Sequence, residues 1–207
     1  SGEDFPCHTI LPEASSTCEI SFDLMDSRYF TKEVATCLYT GIIHDTGVFK
    51  YNSTTAHTME IAGKCMAMGI PFSSIIDDSF YMKTMAEQKI TGRVLLDGEL
   101  YMGGRILASS LSLKDMQSYG ADQKDVDGIV SLLRETKGVE GVIFLYEVGS
   151  NTYKVSLRSN NTALDVSEVA AHFGGGGHKM AAGCSLKGDV QSILTKLFSE
   201  LGKQLDA

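Results

Sequence analysis

The sequence predicts an α/β protein in two parts: a helical part that ends near residue 92 and a mixed-sheet α/β part over residues 93–207. Up to Leu96 the apolar residues recur mainly at helical spacing. From Glu99 onward several segments alternate apolar and polar residues as strands do. The last segment, from about Asp189 to Leu205, returns to a strongly amphipathic helical pattern.

Four segments of the first part carry helix signals. Ser16 and Glu19 fit a capping box, in which two side chains satisfy the free N–H groups at a helix start. Thr31 precedes a second run of apolar residues at helical spacing. A third helix is predicted over Ala56–Met68, and the segment Ser73–Leu96 is expected to be mostly helical.

The second part alternates strand and helix signals. A strand is predicted over Leu100–Ser109 and a helix over Val126–Leu133. The stretch Val142–Arg158 predicts a hairpin that turns at Gly149–Asn151. Asp165 caps a short helix that leads to Phe173 and into a run of glycines.

Composition and charge narrow the functional class. The chain has 207 residues, 43% of them hydrophobic, and a net charge of −8. No apolar run approaches the length of a membrane span and no signal-peptide pattern is present, so a cytoplasmic protein with no membrane partner is expected. The negative charge opposes binding of long duplex nucleic acid, because that affinity comes from many Lys and Arg contacts to phosphates. Nothing in the sequence decides between a monomer and a homodimer.

Four consecutive glycines followed by His178 and Lys179 form the most distinctive stretch. Glycine permits positive φ angles and close approach of the backbone to a ligand, and successive N–H groups can cradle an anion. The alternative is a helix C-cap followed by a flexible turn, which would be the preferred interpretation for a pair of glycines but not for four in a row. The pattern therefore favours a phosphate-binding loop, with Gly175, Gly176, Gly177 and His178 as the substrate-binding residues.

Arg158 ends a strand-like run that precedes the short helix leading to this loop. A guanidinium can hold phosphate oxygens through two parallel hydrogen bonds, which a lone ammonium cannot do. The alternative is a solvated surface arginine. Arg158 is a candidate substrate-binding residue if the short helix brings the glycines back to it.

Asp45 stands where an apolar run gives way to Thr46 and Gly47. A carboxylate fixed at the end of an element is a suitable ligand for Mg²⁺ or Mn²⁺, which prefer oxygen donors. The alternative is an aspartate that hydrogen-bonds its own turn. The residues alone favour this simpler interpretation.

Together, these motifs resemble the DHH phosphoesterase superfamily. The similarity lies in Glu13–Thr17, Gly41–Phe49, Ser156–Ser159 and Gly175–His178. Within that superfamily the chain looks most like RecJ-related bacterial enzymes that degrade very short RNA and dephosphorylate 3′-phosphoadenosine 5′-phosphate. The resemblance implies that residues 1–92 are the C-terminal part of a DHH catalytic domain and that residues 93–207 are its DHH-associated substrate-binding domain.

The resemblance also implies a site with two Mn²⁺ or Mg²⁺ ions. In that family the ligands are a His-x-Asp-x-Asp motif, a further Asp, the Asp-His-His triplet and a last Asp, and only the last has a counterpart here, at Asp45. A two-metal mechanism needs ions held about 3.5–4 Å apart. Asp45 is thus the candidate catalytic and metal-binding residue, and this chain by itself is expected to be inactive or nearly so.

Other functions remain open from the sequence. A relative that hydrolyses a cyclic dinucleotide or its linear product could use the same loop and arginine. A nucleotide-binding module without catalysis is a different class, which a turnover assay with Mn²⁺ would separate. An inorganic pyrophosphatase is disfavoured, since by resemblance that branch has a different C-terminal domain without the glycine loop.

Overall fold

A computed structural model describes residues 10–205 of the chain, which divides into two compact units, Ser1–Met82 and Lys83–Ala207. The second unit begins before residue 93 because helix α5 (Met85–Leu96) buries Ile90 and Val94 in the same core as the sheet. Ser109 also donates a hydrogen bond of 2.7 Å to the Val94 carbonyl. The assignment of residues 1–92 to a catalytic domain stays a prediction. None of the helices in the described range is long and apolar enough to cross a membrane.

The first unit is helical over its described residues. Its helices are α1 (Thr17–Leu24), α2 (Lys32–Thr46), α3 (Ala56–Ala67) and α4 (Phe72–Ile76), which continues as a π-helix over Asp77–Tyr81. The helices predicted after Ser16, after Thr31 and from Ala56 are confirmed, and Ser16, Thr31 and Thr55 cap them. The predicted capping box is only half present, because Ser16 Oγ accepts from the Glu19 N–H but the Glu19 carboxylate binds Ser15 and Thr58 instead. The long helical segment predicted from Ser73 is broken instead, because Thr84 caps a new helix, α5, after an extended Met82.

A buried carboxylate links three parts of the first unit. Glu19 on α1 is only 5% exposed. It accepts hydrogen bonds of 2.5 Å from Ser15 Oγ and 2.7 Å from Thr58 Oγ1, the latter at the start of α3. Thr58 Oγ1 also accepts a bond from the N–H of Thr55, the cap of α3. Burying a charge is costly unless it is hydrogen-bonded, so these hydroxyls are needed to keep Glu19 inside.

The second unit contains a six-stranded mixed sheet with helices on both faces, so the predicted α/β class is confirmed. The strands are β1 (Glu99–Tyr101), β2 (Ile106–Leu111), β3 (Gly141–Gly149), β4 (Thr152–Ser159), β5 (Gly176–His178) and β6 (Ala181–Lys187). The remaining helices are α6 (Leu113–Ser118), α7 (Ile129–Arg134), α8 (Val166–His172) and α9 (Val190–Leu205). The strand order is β1-β2-β3-β4-β6-β5, and only β2 and β3 run parallel.

The two faces of the sheet are covered unequally. On one face, α8 and α9 pack across strands β2, β3, β4 and β6, with Val155 and Leu157 of β4 in that core. On the other face, α5, α6 and α7 pack on β2 and β3. The residues of β4 that alternate with the buried ones, Lys154, Ser156 and Arg158, belong to neither core. We call this part of the second face, formed by β4, β6 and β5, the open face.

Several sequence expectations for the second unit are confirmed and others are wrong. The hairpin is present as β3 and β4, and α8 and α9 occur where predicted. The single strand predicted over Leu100–Ser109 is two strands, because the chain turns at Met102–Gly104 with positive φ at all three residues. The predicted helix Val126–Leu133 begins only at Ile129.

Replacing Thr58 by valine tests the buried Glu19 network. The change keeps the shape of the side chain but removes one donor to the buried carboxylate, so the free energy of unfolding of the first unit should fall by about 1–3 kcal/mol. Urea denaturation followed by circular dichroism measures this value.

Thr54→Val is the matched control. Thr54 Oγ1 is buried and has no hydrogen-bond partner within residues 10–205, so its removal should be neutral or stabilising. If the two variants are equally stable, the Glu19 network does not hold the unit together.

Candidate functional site

The glycine run begins as the end of helix α8. Gly174 has a φ of +73°. Its N–H bonds to the Ala171 carbonyl (3.0 Å), and the N–H of Gly175 bonds to the Ala170 carbonyl (2.9 Å). This pair of bonds is the Schellman motif, which satisfies carbonyls that a helix end leaves free. The helix C-cap interpretation is therefore right for Gly174 and Gly175.

The rest of the run is an edge strand rather than a loop. Gly176, Gly177 and His178 form β5, opposite residues 181–183 of β6. A Cβ on Gly177, whose φ is +149°, would lie 2.5 Å from the Ala181 carbonyl oxygen, and one on Gly175 would lie 2.2 Å from that of Gly183. These two glycines are needed so that the backbone can approach β6. A Cβ on Gly176 would meet nothing within 4 Å.

These contacts change how the glycines could bind an anion. The N–H of Gly175 is used inside the protein, so three consecutive N–H groups do not form the predicted cradle. What β5 offers is the outer edge of a sheet, where alternate backbone groups point away from the partner strand. In addition, the run follows a helix C-terminus, where the partial charge is negative and does not favour a phosphate. The positive charge has to come from side chains.

Arg158 lies in register with this strand. Arg158 of β4 faces Ala181 of β6, which in turn faces His178 of β5. Residues directly opposite each other project on the same side of a sheet, so Arg158 and His178 share the open face about 10 Å apart at their backbones. Gly176 belongs to the next row, with Gly183 and Ser156, on the same face. On this face the sheet therefore brings together Arg158, Gly176 and His178. Gly177 belongs to the row of Ala182 and Leu157 on the other face, and Gly175 precedes β5.

Arg158 is a half-buried cation without an acidic partner. Its guanidinium Nη1 donates a hydrogen bond of 2.9 Å to the Leu157 carbonyl, and within residues 10–205 it forms no ion pair. Burial lowers the pKa of the Arg158 guanidinium from its usual value, and the charge of Arg134 lowers it further. A guanidinium nevertheless stays protonated at neutral pH. Within the described residues Arg134 forms no ion pair either, and two neighbouring like charges favour binding of an anion.

Arg134 is a residue that the sequence reasoning missed. It ends helix α7, and its carbonyl accepts a 2.7 Å hydrogen bond from Nδ2 of Asn160, two residues after Arg158. This bond fixes the end of α7 beside the end of β4. No local pattern predicts this neighbour, because the two arginines are far apart along the chain.

A cleft of about 460 Å³ lies beside the glycine run, further along β4 and β6. It is bordered by Gly174 and Gly175, and on the open face by Tyr146, Lys154, Ser156, Gly183 and Ser185. Its volume falls within the range of about 300–1,000 Å³ typical of small-molecule sites. The alternation of polar and buried residues along β4 is a signal by which Lys154 and Ser156 could have been recognised.

Asp45 lies in the first unit, in the last turn of α2, and is exposed. Within residues 10–205 its carboxylate makes no hydrogen bond or ion pair, so it does not bind its own turn as one interpretation expected. Thr46 does this instead: its Oγ1 donates to the Ile42 carbonyl (2.6 Å) and accepts from the Phe49 N–H (3.0 Å). The carboxylate is thus available to a ligand.

The described residues do not assemble a metal site around Asp45. In the range 10–205 no three His, Cys, Asp or Glu side chains lie close enough to hold an ion together. His44 is adjacent in sequence, but its ring lies against Phe80 with the ring centroids 4.8 Å apart. A single carboxylate does not make a site for two ions, so Asp45 could supply at most one ligand to such a site.

Substitution of Gly177 by alanine tests the close approach of β5 to β6. The new Cβ would clash with β6 backbone atoms and would be strained by about 1–3 kcal/mol at this φ. Amide hydrogen exchange of residues 174–183 should therefore become faster. Gly176→Ala is the control and should leave exchange unchanged, since its Cβ enters open space. Equal protection in both variants would show that the approach is not tight.

Comparison with known proteins agrees with this architecture. Residues 102–203 match the DHHA1 domain. The bifunctional oligoribonuclease and PAP phosphatase NrnA of Thermus thermophilus is 30% identical over 96% of this chain and 60% of its own length. The protein of the same name from Bacillus subtilis is 28% identical over 84% of this chain and 55% of its length.

Among solved structures, an exopolyphosphatase-related protein from Bacteroides fragilis superposes with a TM-score of 0.82. It is 29% identical, and the match covers 93% of this chain and 57% of that one. The chain thus spans between half and two thirds of the length of these relatives. Residues 102–203, within the second unit, thus match the DHHA1 domain, and the chain is similar over most of its length to the two proteins named NrnA.

Proposed function

We propose that this chain is a portion of a metal-dependent phosphoesterase in the cytoplasm. The enzyme would hydrolyse short oligoribonucleotides or 3′-phosphoadenosine 5′-phosphate. In this proposal the second unit binds a phosphate of the substrate on the open face, through Arg158 and His178. Asp45 contributes one ligand to a pair of Mn²⁺ or Mg²⁺ ions, which when bound would supply an activated water and stabilise negative charge.

The observation that carries the proposal is the half-buried Arg158, which forms no ion pair among residues 10–205 and lies in register with an edge strand of glycines. A guanidinium without a carboxylate partner offers its donors to an anion. The glycines of β5 leave room above the sheet, since no side chain occupies the position of Gly176. In this proposal a phosphate lies on this face between the side chains of Arg158 and His178.

The relatives support the substrate class. Two of them are named as enzymes that act on oligoribonucleotides and on a nucleotide phosphate, and both substrates are small anions. Such substrates suit a site with few cations on a chain of net charge −8. A protein that follows long nucleic acid would need many more phosphate contacts.

Removal of the arginine side chain should weaken phosphate binding. Arg158→Ala deletes charged hydrogen bonds worth about 1.5–3 kcal/mol, so the affinity for a 5′-phosphorylated diadenylate should fall roughly tenfold to a hundredfold. Gly176→Val should also weaken binding, because the valine would occupy the open face without disturbing the sheet. Isothermal titration calorimetry measures both effects.

Arg93→Ala is the matched control for lost positive charge. Arg93 lies on α5 and pairs with Asp97 at 2.6 Å, away from the open face. Its removal should leave affinity unchanged, and salt should weaken binding only modestly in all variants. Unchanged affinity in both Arg158→Ala and Gly176→Val would show that the phosphate binds elsewhere.

The chain alone should bind the dinucleotide without cleaving it. Asp45 is a single ligand, so addition of Mn²⁺ should give neither tight metal binding in calorimetry nor release of mononucleotides from a labelled dinucleotide. Turnover that is abolished by Asp45→Asn would contradict this expectation and would mean that this chain supplies the missing ligands itself.

A further inference from the structure

The cleft beside the glycine run has a chemistry that differs from the row containing Arg158. The first row contains the guanidinium of Arg158 and the imidazole of His178, whereas the cleft contains an aromatic ring, Tyr146, opposite Lys154. Lys154 is four residues from Arg158 along β4, so the two positions are separated by about 13 Å. The open face therefore has two separate candidate binding positions along β4 and β6: the row of Arg158 and the cleft beside Lys154.

Tyr146 is held in a position suitable for stacking. Its ring packs against the buried Phe144 with centroids 5.9 Å apart and planes inclined by 31°. Phe144 is only 1% exposed, so one side of Tyr146 is supported by the core. The Tyr146 side chain remains partly exposed and borders the cleft. Flat aromatic surfaces of this kind bind nucleobases, because every base has a π-face.

The surroundings of Tyr146 suit the rest of a nucleotide. Lys154 is exposed and forms no ion pair within residues 10–205, so its ammonium group can reach a ligand phosphate or ribose. Ser185 lies opposite Lys154 on β6 and adds a hydroxyl at the border of the cleft. The described residues that line the cleft include no acidic side chain, which favours an anionic ligand there.

We propose that Tyr146 and Lys154 form a second subsite, which takes a nucleobase of the oligonucleotide whose phosphate is held by Arg158. This inference rests on the proposed function, because it needs a phosphate in the row of Arg158. Between the two subsites lies the row of Ser156, Gly183 and Gly176, in which only Ser156 carries a side chain, and that side chain is small. A substrate with at least two nucleotides fills both subsites, whereas a lone sugar phosphate fills one.

The test compares 5′-phosphorylated diadenylate with its two singly abasic analogues in calorimetric titrations of this chain. Stacking on an aromatic side chain contributes enough for the loss of one base to weaken binding on the order of tenfold to a hundredfold. We expect one abasic analogue to show this loss. Tyr146→Leu should bind the intact dinucleotide only as weakly as the native chain binds that analogue. Tyr146→Phe keeps an aromatic ring, so it should still bind the intact dinucleotide more tightly than the analogue.

Tyr119→Leu is the control, because Tyr119 also packs at the border of the same core but does not line the cleft. It should leave the affinities unchanged. As a second readout, a dinucleotide carrying 2-aminopurine should lose fluorescence on binding to the native chain and not on binding to Tyr146→Leu.

The subsite is refuted if both abasic analogues bind as tightly as the dinucleotide, or if Tyr146→Leu weakens all three ligands equally. These outcomes leave the proposed function intact as long as binding still depends on Arg158. If the dinucleotide does not bind at all, the proposed function and the subsite both fail.

Discussion

The close contact between the glycine run and strand β6 is the constraint on which the candidate site depends. Gly175 and Gly177 lie so near the β6 backbone that any side chain there would overlap it. This close contact lets β5 pair with β6 at the edge of the sheet, and the pairing places His178 in register with Arg158. Side chains at these positions would force β5 away from the sheet and separate the two residues.

Charge explains why the site takes this form. Phosphate sites are common at helix N-termini, where free N–H groups and the helix dipole both favour an anion. Here the glycines follow the C-terminus of α8, and two of their N–H groups are used to cap it. Cationic side chains therefore replace the dipole. Within residues 10–205, Arg158 and Arg134 lie near each other and neither forms an ion pair; a bound anion would relieve the repulsion between them.

The sequence predicted what depends on local pattern. The hairpin of β3 and β4 follows from alternation and turn residues, and α8 and α9 follow from a cap and an amphipathic period. The glycine strand was not predicted, because glycines carry no side-chain pattern and β5 forms only by pairing with β6. Arg158 and the glycines were recognised as a site from residue chemistry, whereas Arg134 and Tyr146 join it only through packing between distant segments.

The position of β5 at the edge of the sheet also bears on the solubility of the protein. An exposed edge strand can recruit a strand from another molecule and start aggregation. Such pairing is stabilised by contacts between side chains on neighbouring strands, and Gly176 and Gly177 provide none. The strand is only three residues long and is followed at once by Lys179, whose charge opposes stacking of further strands. An edge left open for a small ligand is thereby a poor template for another polypeptide.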